Sequence, residues 1–161
     1  MISLAILFAA EAASQSGISN DSPVFQLCQR LVGGKWEGLV NKDVHIEFQF
    51  HMEDNGNKFV GIGTIGVGSA HPLSVHSSYG WDPDTKQVYY LDQHGYDSVY
   101  FGHVTREGSD LVLDFKGLAG DPGHFESRVT LGKDEYEASM SAEKDGKWEP
   151  MGLHIKLHRV K

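Results

Sequence analysis

Nine histidines in 161 residues invite a search for metal or proton chemistry. His154 and His158 stand four apart, a spacing that brings two imidazoles onto one ion when the segment is helical. On a strand the same pair lies about 13 Å apart at ~3.3 Å per residue, too far to share a metal. His71 and His76 flank Pro72 and suit a loop. No Cys, Asp or Glu completes either pair at a ligand spacing, so no metal site is expected. Nucleophilic catalysis finds no Gly-x-Ser-x-Gly elbow, and the single cysteine, Cys28, has no neighbouring motif to activate it. "GIGTIG", Gly61 to Gly66, spells a dinucleotide fingerprint, but the chain runs on to "VGSAHP" and no helix N-terminus follows to face a pyrophosphate. A strand reading serves better: Gly61 and Gly63 share one face and leave a gap for a crossing aromatic side chain or for a ligand.

Strand periodicity organises most of the chain. In "VHIEFQFH" the apolar set is Val44, Ile46, Phe48 and Phe50, and the polar residues take the other face. The alternation recurs in Val99, Phe101 and His103, in Leu111, Leu113 and Phe115, in Phe125, Ser127, Val129 and Leu131, in Tyr136, Ala138, Met140 and Ala142, and in Leu153, Ile155 and Leu157. Turn signals separate the runs, among them Asn55-Gly56, Asp82-Pro83-Asp84, Glu107-Gly108 and Asp145-Gly146. Short connections mean antiparallel neighbours. One helix precedes them in "DSPVFQLCQRLVGG", with Ser22 as cap, Pro23 at the first helical position and Gly33-Gly34 as the stop. With no second helix to cover a flat sheet, the expected fold is all-β: a single antiparallel up-and-down meander barrel of about nine or ten strands. Trp36, between glycines in "GGKWEG", is expected to open the first strand and plug the closed end.

Alternation then selects candidates for an interior site. Ser77 and Tyr79 go inward with Val75 and Trp81, His103 with Val99 and Phe101, and Ser127 with Phe125 and Val129. A few polar groups among many apolar ones make a small-molecule pocket, with Trp36, Gly61 and Gly63 as further candidate contacts. His103 beside Ser77 or Tyr79 could move a proton, the basis of an isomerase or cyclase alternative. In "QVYYLDQHG" the two faces cannot be told apart, so Tyr89, Tyr90 and Asp92 stay unplaced.

Composition bounds the setting. A net charge of -8 with basic residues scattered singly excludes a nucleic-acid surface. Ile2 to Ala10 is apolar but for Ser3 and ends in a small-x-small triplet, Ala10-Glu11-Ala12, which reads as a signal peptide over 1–14. It is too short to span a membrane, for which about 20 apolar residues are needed. Residues 15–22 read as a flexible lead-in and 23–161 as the barrel, in a periplasmic or secreted protein, monomer or homodimer.

The short helix, Gly34-Lys35-Trp36-Glu37-Gly38 and a meander ending beside the first strand resemble the lipocalin-like (calycin) barrels, among them an uncharacterised bacterial family. "YGWDPDTKQVYY" and "DGKWEPMGLHIKLHR" resemble the mid-chain and closing hairpins of those barrels and of nitrobindin-like haem barrels. The first resemblance implies binding of a small hydrophobic or amphipathic molecule without a cofactor. The second implies haem with His154 as iron ligand, although Leu153, Ile155 and Leu157 claim the inner face and turn His154 outward.

Overall fold

The computed structural model describes residues 22–53, 56–67 and 71–160. The signal peptide expected over 1–14 and the lead-in up to residue 21 lie outside the described residues. Helix α1 (Pro23–Cys28) starts where the sequence marks it: the Ser22 Oγ accepts the Phe25 N–H at 3.2 Å, and Pro23 occupies the first turn, where its missing donor costs nothing. A 3-10 turn (Gln29–Leu31) continues it. Phe25, Cys28 and Leu31 recur at helical spacing and are buried. Burial pushes the Cys28 thiol up to about 12, so it packs as a small apolar group.

Ten strands follow: β1 (Lys35–Val40), β2 (Val44–Glu53), β3 (Lys58–Val67), β4 (Leu73–Asp82), β5 (Gln87–His94), β6 (Ser98–Glu107), β7 (Asp110–Ala119), β8 (His124–Leu131), β9 (Glu135–Lys144) and β10 (Lys147–Val160). Each pairs antiparallel with its chain neighbours, and β1 pairs with β10, which closes the barrel. Closure leaves no edge strand to recruit another chain. The connections alternate between the two ends. The helix crosses one end, where Gln29 Nε2 donates to the Gly56 carbonyl and Arg30 Nη2 to that of Gly132. The opposite end, with the β5–β6 and β7–β8 turns, is the mouth.

Trp36 sits at the closed end, 1% exposed, and its Nε1 donates to the Leu31 carbonyl at 2.8 Å. Directly across the seam on β10 is Arg159. Its guanidinium carbon lies 4.5 Å from the indole centroid, and its nitrogens donate to the carbonyls of Arg30, Val32 and Gly33. Gly33 and Gly34 both have positive φ, 85° and 77°, which turns the chain from helix to strand. A Cβ on Gly34 would stand 3.0 Å from Arg159 Cγ, so this glycine also clears the arginine's path. Gly34 is therefore there to admit an arginine, not merely to permit a bend.

One strand departs from expectation. Alternation points Val99, Phe101 and His103 inward, yet Phe101 and His103 are exposed and Tyr100, Gly102 and Val104 face the interior. Both faces of β6 carry apolar residues, so period two alone does not fix its phase. Packing does: Gly102 pairs with Tyr90 on one side and Phe115 on the other, and the two rings meet over it with centroids 5.5 Å apart. A register shift between Val99 and Tyr100 leaves Leu118 of β7 as an extra, exposed residue.

Replacing Arg159 with Met keeps the aliphatic stem and removes the carbonyl bonds and the cation–π contact. Equilibrium denaturation should show a loss of about 2–4 kcal/mol.

Candidate functional site

The inner faces of the strands enclose a cavity of about 420 Å³. Trp36 and Leu31 form its floor, the aliphatic and aromatic residues of β2, β7, β8 and β10 most of its wall, and His94, Tyr100, Asp121 and Met151 stand toward its mouth. Among the described residues no Lys or Arg lines it.

A hydrogen-bonded polar cluster lies on the β4–β5 wall, while Ser127, Tyr136 and Asp121 border the cavity elsewhere. Tyr90, Asp92 and His94 occupy alternate positions of β5 and so project to the same side. Asp92, 6% exposed, is the centre. Its Oδ1 accepts the Ser77 hydroxyl at 2.6 Å, and its Oδ2 meets the Tyr90 hydroxyl at 2.7 Å and His94 Nε2 at 2.6 Å. Such a carboxylate is tolerated in an apolar interior because charge-assisted donors replace its water. Burial first, and then the Asp92 charge, holds the Tyr90 phenol well above its ordinary range, so Tyr90 stays a donor. Burial likewise raises the phenols of Tyr79 and Tyr136. His94 is half-buried and packs edge-on against Tyr100, centroids 5.3 Å apart.

The site candidates read from the sequence divide accordingly. Trp36, Ser77, Tyr79 and Ser127 border the cavity. Gly61 and Gly63 do not: a Cβ on Gly61 would lie 2.2 Å from the Phe50 ring, and one on Gly63 would lie 2.1 Å from the Glu47 carbonyl oxygen and 2.5 Å from the Phe48 ring. His103 is on the outer face, in a shallow surface depression with Asp82, Thr85, Gln87, Tyr89 and Phe101, so a proton-moving pair with Ser77 or Tyr79 is not assembled.

His154 is exposed on the outer face, where its backbone N–H is held by Asn41 Oδ1 at 3.0 Å, while Leu153, Ile155 and Leu157 take the cavity side. The residues present therefore do not fit a haem in the barrel on His154: its imidazole and the cavity are on opposite sides of the sheet. Among the described residues no three His, Cys, Asp or Glu side chains converge as metal ligands.

Tyr90, Asp92 and His94 were not singled out from sequence, though a signal for Asp92 was present. The turn at Asp82-Pro83-Asp84 pairs Asp82 with Gln87, and counting back along that hairpin sets Ser77 opposite Asp92. Tyr89 and Leu91 on the alternate face made the phase ambiguous.

No protein-family model and no curated protein matches the chain. Among solved structures, it is similar to the crystal structure of Rv2717c from M. tuberculosis, with a TM-score of 0.59 and 15% identity over 86% of this chain and 98% of that one. The likeness is one of fold.

Two substitutions check this geometry. Tyr90→Phe deprives the buried carboxylate of a donor and should lower stability by about 1–3 kcal/mol in denaturant titration. Gly61→Ala drives a methyl into the Phe50 ring and should cost about 1–3 kcal/mol by overpacking, read the same way.

Proposed function

We propose that the protein binds a small hydrophobic or amphipathic molecule inside the barrel. The observation that carries this reading is the cavity itself: about 420 Å³, walled chiefly by aliphatic and aromatic side chains, with a few polar groups among them. Known small-molecule pockets run from roughly 300 to 1,000 Å³ and combine an apolar lining with few orienting polar groups. Tight core packing would leave no such void. A closed floor and an opposite mouth give a ligand one way in.

The lipocalin-like reading of the barrel is supported by the same features: a Gly-x-Trp opening strand, one helix beneath the closed end, and a last strand that returns to the first. Export to the periplasm or beyond is part of the proposal and rests on the apolar run from Ile2 to Ala10. No helix among the described residues is long and apolar enough to cross a membrane.

An environment-sensitive apolar dye should bind with blue-shifted emission and saturate at one equivalent. Ser127→Phe, which puts a ring into the cavity, should weaken that binding about tenfold or more while circular dichroism stays β-rich. A wild-type protein that gives no blue shift, or a filled variant that binds as well as wild type, overturns the proposal.

A further inference from the structure

We infer that the Asp92–His94 wall selects ligands with a neutral hydroxyl head, an apolar alcohol or phenol, over fatty acids, amines and bare hydrocarbons. This rests on the proposed cavity binding and assigns its ligand class.

A carboxylate oxygen offers only lone pairs, so the His94 Nε2 that meets Asp92 Oδ2 at 2.6 Å carries its proton toward Asp92. In the neutral ring the remaining nitrogen, Nδ1, then carries a lone pair and is an acceptor. No protein donor to Nδ1 occurs among the described residues, and His94 borders the cavity. Asp92 is already served by Ser77, Tyr90 and His94. On this wall the Nδ1 lone pair thus lacks a donor, which a ligand hydroxyl supplies.

Charge excludes the alternatives. A carboxylate head finds no lining Lys or Arg, and it meets two carboxylates, Asp92 on the wall and Asp121 near the mouth. An ammonium head at His94 would exchange its water for one imidazole lone pair, because Asp92 has its donors already; Asp121, exposed and accepting the Gly123 N–H at 3.1 Å, lies where an ammonium would remain solvated. A hydrocarbon offers Nδ1 no donor and so forgoes the hydrogen bond that a hydroxyl makes.

The experiment is displacement of the bound dye at neutral pH by n-decanol, decane, decanoate and decylamine. Decanol should compete about tenfold better than each of the others. His94→Phe should bring the decanol advantage over decane to within about threefold. If that variant does not fold, nitrogen NMR of the wild-type histidines supplies the readout: decanol must shift the His94 Nδ1 signal as a pyridine-type acceptor and decane must leave it in place.

Equal competition by all four, or a preference for decanoate or decylamine, overturns the inference and leaves cavity binding standing. So does an intact decanol preference in folded His94→Phe, or an unmoved Nδ1 signal. A wild-type protein that binds no dye overturns both.

Discussion

The barrel depends on its seam. Nine of the strand pairings join segments that are neighbours in sequence, and short turns enforce them, but β1 and β10 are brought together from opposite ends of the described chain. Closing so long a loop carries a large entropic cost that local propensity does not offset. Trp36 and Arg159 meet across that seam. One guanidinium lies against the indole and satisfies carbonyls of the helix-to-strand connection, so strand closure, floor and helix docking are a single cooperative contact. Without the β1–β10 pairing the sheet would be open, and an open sheet has neither a floor nor an enclosed interior.

Inside the closed tube, glycines and aromatics work as complements. Phe50 lies over Gly61, Phe48 over Gly63, and the Tyr90 and Phe115 rings meet over Gly102, while on the outside Tyr89 covers Gly80. Gly61 and Gly63 each allow a large ring to lie against backbone rather than stand into the centre. Phe50, Phe59, Tyr79 and Tyr90 form a chain of ring contacts toward the closed end, with Phe59 and Tyr79 stacked at 4.7 Å. The interior is therefore dense below and hollow above, and the hollow opens toward the mouth.

That asymmetry governs the electrostatics. A carboxylate 6% exposed among aromatic rings would be untenable alone, and it persists because two hydroxyls and an imidazole surround it. The arrangement also orients the imidazole, one of whose nitrogens is committed to Asp92.

Read as a sequence, the chain already contained its class, its single short helix and its meander, because turn residues and period-two patterning are local and each strand buries one face. The helix cap at Ser22, the buried Cys28 and the indole at the closed end were legible for the same reason. The faces of β5 and β6 were not. There apolar residues occupy both phases, and Gly102, which decides the matter by what it admits from its neighbours, carries no hydrophobic signal of its own. His103 consequently belongs outside and His94 inside, although both are histidines on strands of alternating pattern. Only the tertiary structure brought Ser77, Tyr90, Asp92 and His94 to one wall and left a cavity before them. Which side of a strand a residue occupies is a local property only where one face is plainly apolar; elsewhere it is set by the packing of residues far away in the chain.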